Sequence, residues 1–332
     1  MKALVTGANG FLGSHLSEAL SANGIEVRAM IQAGTPMVNL EGIDVECVDG
    51  DLADTASLAR ACEGCDLVYH LAAVVSDYGP WSLFKRINVE GTRDLIDAAA
   101  GAGARRFVQM SSLSVHGFHG WFNATEEAPI DAGNNYARSK VEGEKLVHAA
   151  HEGGKIEGVI IRPGYFPFGP RDRTSFANLA DALEKGIYRQ VGDGRARTCT
   201  SYAPNLAQGM VLAGTKAEAA GETFVLADDA PISWKEINAR LSKALGVAMP
   251  RISIPAPLAR AAGDIMERVW TLAGAKNAPP LTSYRVRVPL TDSHFSNAKA
   301  RRLLGFDPKV GFDEGLALTV EWYRRAKNEG SL

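Results

Sequence analysis

Apolar residues in the first half of the chain fall into short unbroken runs. Between the runs they recur every three or four positions. The runs are Ala3–Val5, Val27–Ile31, Val45–Val48, Leu67–Leu71, Phe107–Met110 and Val159–Ile161, each rich in Val, Ile or Leu. A run without polar alternation predicts a strand buried on both faces. The intervening segments Ser14–Ala22, Ser57–Ala61, Phe84–Ala100 and Tyr136–His151 predict amphipathic helices. Strand and helix alternating at this spacing imply parallel pairing through right-handed crossovers, hence an α/β fold with a doubly wound parallel sheet. The alternation weakens after Arg162-Pro163-Gly164. Gly192-Asp193-Gly194, Pro255-Ala256-Pro257 and Pro279-Pro280 then punctuate helical segments at Trp234–Leu245, Leu258–Leu272, Asn297–Leu304 and Phe312–Arg325.

The turn after the first run is Thr6-Gly7-Ala8-Asn9-Gly10-Phe11-Leu12-Gly13. Gly7 and Gly10 let the backbone turn tightly and approach a pyrophosphate. Gly13 lets the following helix pack closely on the strand. The N–H groups and positive end of that helix then face the phosphates. This strand–turn–helix context predicts a Rossmann-like NAD(P)-binding domain over residues 1–165. Residues 166–332 are expected to form a smaller substrate-binding lobe with some returns to the main sheet. The second strand ends near Ile31 and Gln32, so no carboxylate stands there to repel a ribose 2′-phosphate, and Arg28 lies earlier. The cofactor stays open between NADP and NAD, leaning to NADP.

Composition narrows the class. Of 332 residues, 46% are hydrophobic and 22% charged, as in a folded globular chain rather than a disordered one. The net charge of -2, with basic residues scattered, argues against nucleic acid as a partner. No stretch approaches the ~18 apolar residues of a spanning helix, so stable membrane insertion is not expected. The chain enters a strand pattern at Lys2 instead of a leader pattern, and a cytoplasmic protein with reduced thiols is expected. Cys62 and Cys65 form a C-x-x-C, but no second pair or nearby histidine completes a metal site, so no metal is expected.

Tyr136-Ala137-Arg138-Ser139-Lys140 opens a helical segment, and the four-residue spacing puts Tyr136 and Lys140 on one face. Carbonyl reduction needs an acid that protonates the developing alkoxide, and alcohol oxidation needs the reverse. A free tyrosine ionises near ~10, and a neighbouring ammonium favours its phenolate. Lys140 could also donate to the nicotinamide ribose. The fifth run leads into Ser111-Ser112-Leu113-Ser114, and a hydroxyl beyond the carboxyl end of a strand faces the ligand crevice.

With these residues in view, the chain resembles an extended short-chain dehydrogenase/reductase. The family is also known as the NAD-dependent epimerase/dehydratase superfamily. The resemblance rests on the glycine turn, Gly50-Asp51-Leu52, His70-Leu71-Ala72-Ala73, Asn88-Val89-Glu90-Gly91-Thr92, Ser111-Ser112, the Tyr136–Lys140 pair and Arg162-Pro163-Gly164. It implies a catalytic Ser112, Tyr136 and Lys140, with Ser114 as the fallback hydroxyl. It places Gly7, Gly10, Phe11, Leu12, Gly13, Gln32, Asp51, Leu52, Leu71, Ala72, Ala73 and Pro163 at the cofactor. Asn88 is expected to tie helix to sheet. His116 stands where the family has a tyrosine, which puts that tyrosine's substrate contact in doubt. The resemblance also suggests a homodimer through the helices after strands four and five.

Within the family, the runs Pro280–Tyr284 and Asn297–Gly305 resemble the 3β-hydroxysteroid dehydrogenase-like branch. That implies a secondary alcohol or ketone on a hydrophobic small molecule. The loops Tyr78-Gly79-Pro80-Trp81 and His119-Gly120-Trp121-Phe122 bring aromatics suited to such a ligand, or to packing of the loops themselves. The alternative is a nucleotide-sugar 4-epimerase or dehydratase. In those enzymes an Arg-Asp pair precedes the second-lobe helix, where this chain has Thr198-Cys199, with Arg197 one residue away. A dehydratase would also want a carboxylate beside Ser112, where Leu113 stands. A non-enzymatic redox-sensing protein would have lost the Tyr–Lys pair. The segment Ile252–Leu272 is expected to be a lid over the substrate rather than a helix resting on a membrane, because charges of both signs interrupt it.

Overall fold

All six apolar runs become strands of one sheet in the computed structural model, which describes residues 1–250, 252–275 and 277–332. They are β1 (Lys2–Thr6), β2 (Glu26–Ile31), β3 (Glu46–Asp49), β4 (Leu67–His70), β5 (Arg106–Met110) and β6 (Glu157–Pro163). A seventh, β7 (Thr223–Leu226), returns from the second half of the chain to pair with β6. The order is β7-β6-β5-β4-β1-β2-β3, with every pairing parallel. The direction of winding reverses between β1 and β4, which opens a ligand crevice at the carboxyl ends of those strands.

Alternate residues of each strand point to opposite faces, and helices cover both. Ala3 and Val5 pack with Leu16 and Leu20 of the first helix (Phe11–Ala22), and with Leu206 and Met210 of the helix Ala203–Thr215. Leu4 and Val68 pack on the other side with Leu58, Leu95 and Val147. The helix Ala203–Thr215 is absent from the sequence-based reading because it is buried nearly all round and shows little amphipathic period. The predicted helix Phe84–Ala100 is instead α-helical at Trp81–Phe84 and Gly91–Gly101, with a π-helical turn at Lys85–Glu90 between. Such turns often mark functional positions. Among the described residues no helix is long and apolar enough to cross a membrane.

The later chain, together with the strand Trp121–Ala124, forms a mixed four-stranded sheet, and it adds the helix Ala256–Leu272 followed by the short helix Ser283–Arg287. Ser283 ties the two helices together. Its N–H donates to Glu267 at 2.9 Å and its hydroxyl to Asp264 at 2.8 Å. The acids of the longer helix are thus turned inward, while Leu258, Ile265 and Leu272 are exposed.

Candidate active site

The glycine turn takes the shape its residues require. Gly7 has φ 66°, and a Cβ there would lie 3.0 Å from the Ala72 nitrogen, where the chain leaves β4. Gly10 caps the first helix with no side chain over the end, so the first-turn N–H groups of Phe11 and Leu12 are left for a ligand. Gly13 packs so closely on the turn that a Cβ would fall 2.1 Å from the Gly7 carbonyl oxygen.

Beside this turn lies a cavity of about 440 Å3 lined by Gly7, Gln32, Asp51, Leu52, Ala72 and Ala73, all expected at the cofactor. Asn9, Met30, Thr35, Gly50, Val74, Leu83 and Ile87 complete it. A dinucleotide fits this cradle, whose glycines leave no side chain in the way. Leu71 and Ala72 both donate their N–H to the Thr6 hydroxyl at 3.1 Å, which fixes the rim. Pro163 ends β6 and is buried.

The residues at the adenosine end bear on cofactor choice. Gln32 Nε2 donates to the Asp51 carboxylate at 3.0 Å. Arg28 points away: it donates to the Glu63 carbonyl at 2.6 Å and pairs with Glu46 at 3.1 Å. Among the described residues the cavity lining holds no Lys or Arg. The lean to NADP therefore finds no cation here to carry it.

Tyr136 sits in the first turn of the helix Asn135–Glu152, whose cap, Asn134, accepts from the Ala137 N–H at 2.8 Å. Ser112 is the hydroxyl that acts on its phenol, favouring the ionised form. Ser112 rather than Ser114 is thus brought to it, and the Ser114 hydroxyl is buried without a partner. Burial pushes the Tyr136 phenol up to about 12, and the Ser112 hydroxyl acts against that. Lys140 faces the Tyr136 ring, on the side of the helix that the spacing predicts. Its Nζ lies 5.7 Å from the ring centre and donates to the Met110 carbonyl at 2.9 Å. Burial brings Lys140 down to about 8, with the Glu144 carboxylate opposing.

Asn88 ties the pieces together. In the π-helical turn its Oδ1 accepts from the Val74 N–H at 2.8 Å. Its Nδ2 donates to the Val74 carbonyl at 3.0 Å and the Ser139 hydroxyl at 2.9 Å. His116 is fully buried and stacks on Phe295 at 4.8 Å. Arg162 donates to its Nε2 at 3.0 Å, so its proton lies on Nδ1, which donates to the Pro129 carbonyl at 3.1 Å. Burial lowers His116 to about 4, so it is a neutral residue packed into the interior. Cys62 and Cys65 are buried free thiols, and burial raises Cys62 to about 12, which leaves it inert.

A second cavity, about 310 Å3, contains Tyr136 itself. Val75, Ser76, Asp77, Asn134, Ser175, Tyr284 and Arg285 surround it. Asp77 and Arg285 form a two-pronged ion pair at 2.8 and 2.9 Å that joins the loop after β4 to the helix Ser283–Arg287. A larger cavity of about 480 Å3 shares Asp77 and Asn134 with it and is lined by Glu267 and Thr271 of the helix Ala256–Leu272. The reacting end of the site is more polar than the aromatic loops suggested. Trp81 lies under Arg138 at 3.9 Å, Trp121 packs on Phe295 and Phe122 on His294. Trp81 and Trp121 are spent on the scaffold, Phe122 is 58% exposed, and Tyr78 lines the larger cavity.

The model of the family described as NAD dependent epimerase/dehydratase matches residues 3–227. The chain belongs to the NAD-dependent epimerase/dehydratase family. It is 32% identical over 327 residues to a 2-alkyl-3-oxoalkanoate reductase of Stenotrophomonas maltophilia, an alignment covering 95% of this chain and 97% of that one. It is 30% identical over 345 residues to the 3beta-hydroxysteroid-dehydrogenase/decarboxylase isoform 2 of Arabidopsis thaliana. That alignment covers 96% of this chain but only 61% of the longer plant protein. Among solved structures, the UDP-glucuronic acid 4-epimerase of Bacillus cereus, bound to UDP-glucuronic acid and NAD, shares the fold. Its TM-score is 0.78 at 24% identity, with 98% of this chain and 99% of that one covered. The expected family resemblance, including its 3β-hydroxysteroid dehydrogenase-like branch, therefore holds, and curated relatives of this epimerase/dehydratase chain are dehydrogenases and reductases.

Proposed function

We propose that the protein is an NAD(H)-dependent oxidoreductase that interconverts a secondary alcohol and a ketone on a small molecule with a hydrophobic body. The observation that carries this is Tyr136 on the wall of a cavity, one helical turn from the buried Lys140 and with Ser112 acting on its phenol. A bound nicotinamide dinucleotide supplies or accepts the hydride. Ser112 would hold the substrate oxygen at the end of β5. Tyr136 would donate its phenolic proton to that oxygen in reduction and take it back in oxidation. Lys140, buried beside them, would supply the positive charge that steadies the phenolate. The helix Ala256–Leu272 would act as a lid, held by the Asp77–Arg285 pair, and residues 166–332 would supply most of the substrate lobe. Similarity to the reductase and dehydrogenase relatives supports the reaction class.

The nucleotide-sugar reading draws less support. Arg197, which would have to grip a diphosphate, is exposed on the short strand Arg197–Thr198. The test is turnover of a panel of ketones and alcohols with NADH or NAD by cofactor fluorescence. Tyr136→Phe is expected to bind NADH as the wild type does and to lose turnover by about 100-fold or more. Wild-type turnover in that variant would refute the proton-transfer role. Thermal stabilisation by UDP-sugars alone would refute the substrate class.

A further inference from the structure

Glu144 is a buried acid that the proposed chemistry leaves unused. Tyr136, Lys140 and Glu144 follow one another at intervals of four on the helix Asn135–Glu152, so they line one side of it. Lys140 is 4% exposed and Glu144 5%. A carboxylate so far from water must be paired and hydrogen-bonded. Its Oε1 accepts from Arg162 Nε at 2.9 Å and from the Ser111 hydroxyl, and its Oε2 accepts from Arg162 Nη2 at 2.6 Å. Ser111 immediately precedes Ser112. Met110, one residue earlier, receives the Lys140 ammonium. Two buried charged residues one helical turn apart thus hold two successive residues at the end of β5, just before the Ser112 hydroxyl.

Stability does not explain this arrangement. A buried ion pair is commonly no more stable than apolar residues of the same volume. We propose that Glu144 is a positioning residue for the Ser112–Tyr136–Lys140 site. Its carboxylate fixes Ser111, and so the place of Ser112, and it keeps Lys140 an ammonium in an interior that would otherwise strip its proton. The inference rests on the assignment of Tyr136 and Lys140 above.

The surroundings of Lys140 single out Glu144. β4 presents His70, which burial lowers to about 3 and so leaves neutral. β5 presents the Met110 carbonyl. On its own helix, Tyr136 is a neutral phenol. Arg162 of β6 faces Glu144 and is bound to it. Glu144 is the anion that acts on Lys140 against burial.

The test reads Lys140 in the protein alone, by NMR titration of [15N]lysine-labelled protein with Lys140→Met to assign the signal. The wild-type midpoint is expected at about 8. Glu144→Gln leaves Arg162 buried without its counter-ion, so Glu144→Gln/Arg162→Gln, which removes both charges, is measured beside it. In Glu144→Gln the midpoint should fall by about one pH unit, and in the double variant, which also removes a cation, by less. Ser111→Ala keeps the carboxylate. It should leave the midpoint in place and lower turnover by about tenfold through misplacement of Ser112. A folded Glu144 variant that titrates as the wild type does would overturn the proposal, as would a wild-type midpoint below about 7, which needs no variant. Unchanged turnover in Ser111→Ala would overturn the positioning role. The titration involves no substrate, so it stands apart from the outcome of Tyr136→Phe.

Discussion

Gly13→Ala is expected to weaken both the fold and its grip on the dinucleotide. The added carbon would lie 2.1 Å from the Gly7 oxygen and 2.8 Å from both the Gly7 carbonyl carbon and Ala8 Cα. All three are backbone atoms of the turn after β1, so no side chain can swing aside. The first helix must draw back by roughly 1 Å before the new carbon reaches ordinary contact. Forced overpacking costs about 1–3 kcal/mol, and a rigid obstacle places this case near 3 kcal/mol. For a chain of this size that lowers Tm by about 6 °C. The same retreat carries the N–H groups of Phe11 and Leu12 away from the phosphates. Losing two such charge-assisted bonds costs about 3 kcal/mol, or roughly a 100-fold weaker Kd for NADH. Calorimetry gives the first number and a fluorescence titration with NADH the second. Gly10→Ala serves as the internal scale, because its Cβ would meet one atom, the Gly7 oxygen, at 3.1 Å. Binding by Gly13→Ala within about threefold of the wild type, or greater damage from Gly10→Ala, would refute the reasoning.

Acid should destabilise the protein from about pH 6.5 downward. His15, His70 and His116 are lowered from 6.5 to about 4, 3 and 4, chiefly by burial. Stability is therefore fully present above pH 6.5 and lost as pH falls toward 4, because only the unfolded chain takes up these protons. Each histidine withdraws about 1.4 kcal/mol per pH unit in that window, and urea midpoints that stay level from pH 6.5 to 5 would contradict it. Cofactor choice gives a second check. With Asp51 holding Gln32 and Arg28 engaged elsewhere, NADH should bind more tightly than NADPH. Gln32→Arg should narrow the gap, and a wild-type preference for NADPH in a direct titration would count against this reading.

What the sequence made legible was whatever had a single physical solution. The turn from Thr6 to Gly13 needs glycines where backbone meets backbone, and the 2.1 Å approach at Gly13 shows why no other residue serves. The strands were visible because burial on both faces leaves an unbroken apolar run. The helix Ala203–Thr215 escaped notice for the same cause, since burial all round erases the period that marks a helix. The aromatic loops were ambiguous for a different reason. A tryptophan's identity says that it will be covered but not by what, and here the scaffold covers Trp121. His116 likewise could be read only as a departure from a pattern until Arg162 and Pro129 appeared on its two nitrogens.

The four-residue spacing of Tyr136 and Lys140 shows the same limit. It placed both on one face, but contact between them also depends on where the ammonium finds an acceptor. The Met110 carbonyl takes it, and burial pushes the half-buried Tyr136 on the cavity wall up to about 12. A phenol in that state keeps its proton throughout the physiological range. On the proposed assignment, a protonated Tyr136 would donate its proton to a carbonyl oxygen, the half of the chemistry that reduction requires. Oxidation requires the phenolate, which must be drawn out by positive charge near the ring. Lys140 supplies that charge only while it remains an ammonium, and burial works against this. Glu144 is the residue that opposes burial. If Tyr136 and Lys140 act as proposed, the third member of the helical face would help to hold the phenolate that oxidation requires.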